Sequence, residues 1–201
     1  MGVEKLKNVA VLKFGGTSVG SSERISAVAQ NVLRHVKRTG EKVVVVVSAM
    51  SGETDRLISI GRNVSGGSLE MGREYHQLVT AGEHASIALV SMALKQAGQK
   101  SISLLAHQIP IRTKTVFGQN LIDSIETDYL TSLLEDGYVP VIAGFQGIGD
   151  SGEFTTLGRG GSDTSAVAIA AALGSVRCYI SRQLLMGFTL LYHRSVKKLK
   201  N

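Results

Sequence analysis

Two spacings of apolar residues alternate along the first quarter of the chain. Residues 9–14 form an apolar run with one lysine near its end, as in a buried strand, and two glycines follow. Apolar residues then recur at helical spacing over residues 22–38, and Gly40 ends the pattern. Residues 42–48 include five valines and are apolar on both faces, as in a central parallel strand covered by helices. This order predicts a βαβ unit.

The same reading extends to residue 180 and predicts one α/β domain without internal repeats. Glycines and short polar clusters separate the predicted elements. The predicted strands are residues 101–106 and 139–143. The predicted helices are residues 54–61, 70–97 with an interruption at Gly82 and Glu83, 128–135 and 166–173. Residues 112–124 read as an irregular hairpin or loop.

The net charge of +6 is located at one end of the chain. From Arg177 onward there are six lysines or arginines and no acid, so residues 1–176 carry 16 basic and 16 acidic groups. A nucleic-acid-binding domain needs its basic stripe on a folded face, so this class is disfavoured. No apolar run is long enough to span a membrane, and we expect a soluble, cytoplasmic protein.

Cysteine and histidine give no indication of a metal site. The single cysteine, Cys178, lies in an apolar stretch and is predicted to be a buried thiol. One cysteine excludes an intramolecular disulfide and a cysteine-ligated metal. The five histidines show no metal-binding spacing, so no protein-bound metal is predicted.

The stretch TTLGRGGSDTS, residues 155–165, concentrates the features of an anion site. Ser162 and Asp163 are favoured helix N-cap residues, and an apolar helix is predicted to follow them. Loop amides and the positive end of a helix bind anions, and Arg159 adds a planar cation suited to carboxylate or phosphate. Glycines on both sides of Arg159 allow a ligand to approach the backbone. The alternative is a glycine-rich turn with a surface arginine.

A second candidate anion site follows the first predicted strand, in the sequence KFGGTS. Free backbone amides next to Lys13 are able to cradle phosphates, although a helix entry with an exposed lysine is the alternative. The lysine precedes the glycines, so this is not a P-loop. Gly147, Gly149 and Gly152 spell GxGxxG, but residues 153–156 do not read as a helix, so a dinucleotide fold is not indicated.

Taken together, KFGGTS, SAMSGETD, AGE, AGFQG and TTLGRGGSD closely resemble aspartokinase, of the amino-acid kinase family, in order and spacing over residues 9–180. The resemblance implies a three-layer αβα sandwich with a mainly parallel central sheet. It also implies transfer of the ATP γ-phosphoryl to the side-chain carboxylate of L-aspartate, giving 4-phospho-L-aspartate, the first step toward lysine, threonine and methionine. The implied ligands are aspartate and ATP with Mg²⁺, and self-association is left open.

The resemblance also implies a role for each matching residue. Lys13 neutralises the phosphoryl group in flight, and Asp163 orients Lys13 or Mg-ATP. Arg159 clamps the substrate α-carboxylate and Glu83 takes the α-ammonium. Hydroxyls of Ser48 and Thr54 line the aspartate pocket. The remaining implied contacts, to phosphates or substrate, are Phe14, Gly15, Gly16, Gly160, Gly161 and Ser162.

Several of these residues have purely structural alternatives. Glu83 is also explained as an acid at a helix N-terminus, where the dipole favours it. Ser48, Thr54 and Asp163 are also explained as helix caps.

The resemblance stops at about residue 180. Aspartokinases continue with a segment of the form TDVDGVYTADPR, whereas this chain reads SRQLLMGFTLLY. We therefore divide the chain into a catalytic core, residues 1–180, incomplete at its C-terminus, and a divergent tail, residues 181–201. We predict that the tail arose by a reading-frame shift near residues 181–183, because one alternative frame permits VDGVYTA. The tail's apolar residues are expected to favour instability or self-association.

Two further functions remain open from the sequence. One is an impaired fragment that binds aspartate without a complete nucleotide site. The other is a different amino-acid kinase, such as acetylglutamate kinase, which SAMSGETD and TTLGRGGSD fit less well.

Overall fold

A computed structural model describes residues 8–175 and 177–181, together with the backbone of residues 189–192. No helix in these ranges is long and apolar enough to cross a membrane. The helices are α1 (Ser22–Thr39), α2 (Glu53–Val64), α3 (Arg73–Gln96), α4 (Asp128–Glu135) and α5 (Gly161–Ala172). The strands are β1 (Val9–Phe14), β2 (Lys42–Val47), β3 (Ser101–Leu104), β4 (Ile111–Val116), β5 (Gln119–Ile125), β6 (Val139–Ala143), β7 (Gln146–Ile148), β8 (Phe154–Thr156), β9 (Arg177–Ser181) and β10 (Thr189–Tyr192).

The central sheet has the strand order β10-β9-β1-β2-β6-β3, and every pairing except β10 with β9 is parallel. Alternate valines of β2 face opposite layers, because successive side chains of a strand point to opposite faces. Val43, Val45 and Val47 pack with α1 and α3, whereas Val44 and Val46 pack with α4 and α5. The predicted three-layer αβα sandwich is confirmed.

A second, four-stranded sheet, β5-β4-β7-β8, lies beside the sandwich. The region predicted as an irregular hairpin or loop is a regular antiparallel hairpin, β4 and β5, with one register shift at Arg112 and Thr113. The sequence analysis predicted neither β7 nor β8. Strands of three residues are too short for their alternation to be recognised.

The prediction that Gly82 and Glu83 interrupt the third helix is wrong, because α3 runs through both residues. A glycine inside a helix costs roughly 1 kcal/mol relative to alanine, which is why it reads as a break. Here it allows close packing. A Cβ at position 82 would lie 2.8 Å from the Cβ of Ala49 in the loop after β2.

A cluster of buried charged and polar groups, here called the amino-end cluster, lies where β2 and β9 begin. His35 of α1 and Glu41 are joined Nε2 to Oε2 at 2.6 Å, and both side chains are 1% exposed. Arg177 donates to the other Glu41 oxygen. Burial, followed by the charges of Arg38 and Arg177, lowers the pKa of His35, so the neutral ring donates to the carboxylate.

Cys178 of β9 is fully buried, as predicted. Burial, followed by the charge of Asp163, raises the pKa of its thiol to about 11. The thiol is therefore unreactive at neutral pH.

The apolar residues of the divergent tail, residues 184–192, lie outside the described side chains, and their expected role in self-association stays a prediction. The same holds for the division at residue 180 and for the reading-frame shift. The described backbone shows that residues 189–192 pair antiparallel with β9.

Candidate active site

Nine of the twelve predicted site residues converge at the carboxyl ends of β1, β2 and β6, where open α/β sheets bind ligands. A cavity of about 310 Å³ lies there. It is lined by Lys13, Ser48, Thr54, Glu83, Phe145, Gly158, Arg159, Gly160, Gly161, Ser162 and Asp163. The other three predicted site residues, Phe14, Gly15 and Gly16, do not line this cavity.

Two residues that line this cavity, Lys13 and Asp163, form an ion pair. Lys13 Nζ lies 2.6 Å from Asp163 Oδ1, with side chains 11% and 41% exposed. Asp163 stands in the first turn of α5, but the N-cap of that helix is Gly160, and no side chain makes a capping bond there. The prediction that Ser162 or Asp163 caps α5 is therefore wrong, because Gly160 (φ 75°) starts the helix at a left-handed turn.

The glycine turn after β1 is packed closely against the loop after β2. The amide of Ser51 donates to the carbonyl of Gly16 at 3.2 Å, and a Cβ at Gly16 would lie 2.6 Å from the Ala49 carbonyl oxygen. A Cβ at Gly15 would instead lie 3.7 Å from Lys13 Nζ, so the glycine leaves the space around the ammonium open. The backbone of this turn therefore borders Lys13.

Phe14 contributes no side chain to the cavity. The ring is fully buried in the cluster beneath α1 and α3. The carbonyl of Phe14 accepts a hydrogen bond from the Ser48 amide at 3.2 Å. Any contact of this residue with a ligand must therefore come from its backbone.

Glu83 is a buried carboxylate with one oxygen in use. Oε1 accepts a hydrogen bond from the Ala49 amide at 2.9 Å, while buried Oε2 has no hydrogen-bond partner in the part of the chain that the structure describes. Burial raises the pKa of Glu83 to about 7, against the smaller opposing effect of that hydrogen bond. The alternative of an acid at a helix N-terminus is wrong, because Glu83 lies within α3.

Ser48 and Thr54 both line the cavity, one after β2 and one in the first turn of α2. The N-cap of α2 is Gly52, at φ 80°, and no side chain makes a capping hydrogen bond there. Neither hydroxyl therefore serves as the cap of this helix, and the capping alternative for both residues is wrong.

Arg159 sits exposed on the glycine loop between β8 and α5. Gly158 and Gly160, on either side, have φ of 74° and 75°, which only glycine adopts without strain. A turn closes over Arg159, with the Gly161 amide donating to the Gly158 carbonyl at 3.0 Å. Gly161 and Ser162 begin α5 at the same cavity wall.

The sequence analysis named the motif AGFQG but gave Phe145 no role. The structure places Phe145 in the cavity wall with a left-handed backbone, φ 68°, which is rare for a large residue. The Ser165 hydroxyl accepts a hydrogen bond from the Phe145 amide at 3.1 Å, and the Phe145 carbonyl accepts one from Leu157 at 2.9 Å. No sequence pattern specifies a positive φ at a phenylalanine.

Within the described ranges, no three His, Cys, Asp or Glu side chains are grouped so that they could hold a metal ion.

Comparison with curated proteins gives close matches. The chain is 54% identical over 170 residues to the aspartokinase of Helicobacter pylori strain J99, covering 85% of this chain and 41% of the relative. It is 47% identical over 191 residues to the aspartokinase of Bacillus sp. strain MGA3, covering 94% of this chain and 46% of the relative. The chain thus spans less than half the length of these relatives.

Solved structures share the fold. Aspartate kinase from Synechocystis matches with a TM-score of 0.70 and 46% identity, over 86% of this chain and 28% of that one. Escherichia coli aspartokinase III, solved in complex with aspartate and ADP, matches with a TM-score of 0.74 and 25% identity, over 86% of this chain and 48% of that one.

One family matches nearly all of the described part of the chain. Residues 8–181 match the family described as the amino acid kinase family. These residues include all five motifs of the sequence analysis, the strand that carries the cavity's lysine, the glycine turn after that strand, and the helix that carries Asp163. The chain belongs to the amino acid kinase family.

Proposed function

We propose that this chain carries the acceptor site and the phosphoryl-transfer residues of an aspartate kinase. The observation that carries the proposal is the charge arrangement around one cavity, with a buried carboxylate at Glu83, a guanidinium at Arg159 and an ammonium at Lys13. An amino acid with a second carboxylate presents one ammonium and two carboxylates, which these groups complement. The aspartokinase relatives support the choice of aspartate.

The α-ammonium of the acceptor binds at Glu83, whose Oε2 lacks a partner among the described residues. Arg159 takes the α-carboxylate, because its planar fork matches a carboxylate at two points. Acetylglutamate carries an amide in place of the ammonium and has no cation to offer Glu83. This difference favours an acceptor with a free amino group.

The acceptor carboxylate needs no general base, because it is ionised at neutral pH. The task of the protein in phosphoryl transfer is therefore positioning and charge neutralisation. Lys13 supplies positive charge at the reacting end of the cavity, and Asp163 holds the ammonium in place at 2.6 Å. Ser48 and Thr54 donate hydroxyl hydrogen bonds to the acceptor.

ATP with Mg²⁺ is the proposed phosphoryl donor, and the Mg²⁺ would offset charge on the phosphates. The residues present fit such a group, because Gly15 places no side chain beside the Lys13 ammonium. Amides of this turn and of the start of α5 would bind phosphate oxygens. Asp163 is the acid nearest to Lys13 and would face the cation or its water.

Calorimetry of the 201-residue chain with L-aspartate, and separately with Mg-ATP, tests the proposal. We expect L-aspartate to bind and N-acetyl-L-glutamate not to bind. Glu83→Gln should weaken the binding of aspartate. Glu126→Gln, at an exposed residue next to the β4-β5 hairpin, should leave the affinity for aspartate unchanged. Equal affinity for aspartate and N-acetylglutamate would contradict the assignment of the acceptor site. Aspartate binding without Mg-ATP binding would support instead the fragment with an incomplete nucleotide site.

A further inference from the structure

Arg159 depends on the base of its loop for its position. On its C-terminal side the loop is held by the turn from the Gly161 amide to the Gly158 carbonyl and by the start of α5, while the Arg159 side chain is exposed. The nearest fixed points toward the N-terminus are Leu157, whose amide donates to the Phe145 carbonyl at 2.9 Å, and Thr156, the last residue of β8. What holds Thr156 therefore helps to hold the arginine.

Thr156 forms hydrogen bonds with two residues that are distant in sequence. Asn120 of the β4-β5 hairpin donates from Nδ2 to the Thr156 carbonyl at 3.2 Å. His76 of α3 bonds through Nδ1 to the Thr156 hydroxyl at 3.0 Å. Thr156 itself is 6% exposed. One residue thus joins the hairpin, α3 and the arginine loop.

The orientation of the Asn120 amide is determined by a neighbour. The Thr115 hydroxyl, across the hairpin, donates to Asn120 Oδ1 at 2.8 Å. The oxygen is thereby occupied, and the NH₂ group is directed to the Thr156 carbonyl. An isosteric carboxylate at position 120 keeps the first bond but is unable to donate the second.

A second cavity surrounds this contact. It has a volume of about 640 Å³ and is lined by Asn120, His76 and Thr156. It also shares Thr54, Phe145, Gly158 and Arg159 with the cavity described above. The contact is therefore at the boundary between the acceptor site and an open groove, not in the core of either sheet.

We infer that Asn120 and His76 are positioning residues for the acceptor site, acting through Thr156 to hold the Arg159 loop against the cavity. The inference rests on the proposed function in taking Arg159 as an acceptor contact. The brace itself, the set Asn120, His76 and Thr156, does not depend on which ligand binds.

Hydrogen exchange measures the brace without any ligand. In Asn120→Asp, the amides of residues 157–161 should exchange about three- to tenfold faster, as expected for one lost hydrogen bond, while amides of β1 and β2 keep their rates. Gln119→Glu makes the same change of charge at an exposed neighbour and should alter neither set. Unchanged exchange in the loop of Asn120→Asp would overturn the inference.

The His76 arm is tested at Thr156. Thr156→Val removes the hydroxyl at nearly constant shape and should speed exchange of the same loop, whereas Thr156→Ser keeps the hydroxyl and should restore the slow rate. Faster exchange of Thr156→Ser, equal to that of Thr156→Val, would exclude the His76 contact as the cause.

Aspartate titration connects the brace to the site. Asn120→Asp and Thr156→Val should each weaken aspartate binding about three- to tenfold, with Thr156→Ser and Gln119→Glu at wild-type affinity. A looser loop with unchanged aspartate affinity would overturn the positioning role. If the wild-type chain binds no aspartate while the exchange results hold, the proposed acceptor is wrong and the brace remains.

Discussion

The two ends of the central sheet both carry paired charges, but they differ in how completely those charges are satisfied. At the amino end, Glu41 uses both carboxylate oxygens, one for His35 and one for Arg177. At the carboxyl end, Glu83 uses one oxygen and leaves the other buried without a partner among the residues described. Arg159 at the same end lies exposed beside the cavity.

A buried charge costs free energy unless hydrogen bonds and opposite charges compensate for it. The amino-end cluster compensates for its charge within the chain, so its role is completed by folding. At Glu83 the charge of the carboxylate is only partly compensated, and burial therefore raises the pKa of this group. The difference distinguishes a structural charge cluster from a ligand site without reference to any relative.

Glu41→Ala should have the largest effect, and only on stability. The substitution removes the carboxylate that accepts from His35 Nε2 and from Arg177, and a buried donor without its acceptor costs roughly 1–3 kcal/mol in the free energy of unfolding, to which the cavity left by the side chain adds. Urea unfolding measures it, with Glu126→Ala, which breaks an exposed pair, expected to cost less than about 1 kcal/mol. If folded Glu41→Ala bound aspartate more weakly than wild type, the amino-end cluster would not have a purely structural role.

Lys13→Ala should reduce turnover by about 10²- to 10³-fold with little change in aspartate affinity, because its charge is needed where negative charge develops. Steady-state kinetics with aspartate and Mg-ATP measures this. Where the chain shows no turnover, Mg-ATP affinity is the quantity to compare. Lys42→Ala, at the amino end of the adjacent strand, is the matched control. Equal losses in both variants would remove the special role of Lys13.

Arg159→Lys should weaken aspartate binding about 10- to 30-fold, since lysine keeps the charge but loses the two-point contact with a carboxylate. Calorimetry gives the affinity directly. The control is Arg112→Lys, which makes the same change on the exposed hairpin. Wild-type affinity in Arg159→Lys would place the α-carboxylate elsewhere.

The pH dependence of aspartate binding should be the smallest effect and the most specific to Glu83. Its folded pKa of about 7 means that the carboxylate ionises between pH 6 and 8, and only the ionised form attracts an ammonium. Affinity should therefore rise about five- to tenfold over that range and then level off. The rise should disappear in Glu83→Gln, and its persistence there would assign the titration to another group.

The stability of the ligand-free protein should fall with rising pH, opposite to the affinity for aspartate, because of the same Glu83 carboxyl group. Because the folded pKa lies above the ordinary value of 4.5, the folded state binds more protons between pH 4.5 and about 7. The contribution of Glu83 to stability is therefore greatest at the acid end of this range and is lost as pH rises to 7. Ligand-free unfolding of wild type and Glu83→Gln measures this difference.

Local sequence patterns predicted the layers of the fold but not the second sheet. Apolar runs and helical spacing located β1, α1, β2, α4 and β6 to within about a residue, because burial on known faces imposes those periods. Strands β7 and β8 and the continuity of α3 depend on contacts between distant residues. Gly82 was predicted to break the helix because the residues that pack against it, Ala49 and Glu53, are distant in sequence.

Motif spacing predicted which residues share the cavity but not how they are held. Lys13, Glu83 and Arg159 were all expected at one site, and all three line it. The positive φ of Phe145 and the bonds from Asn120 and His76 to Thr156 leave no local sequence pattern, since each requires two elements to be in place first.

The fully buried cysteine of β9 also makes the protein suited to spectroscopy. Cys178 is the single cysteine of the chain, and its high pKa and burial keep it from reacting with thiol reagents at neutral pH. A cysteine introduced at Phe117, the fully exposed turn of the β4-β5 hairpin, would therefore accept a single spin label or fluorophore on an otherwise native background. Such a probe would report the local mobility of the hairpin in solution, with no cysteine-free parent to prepare first.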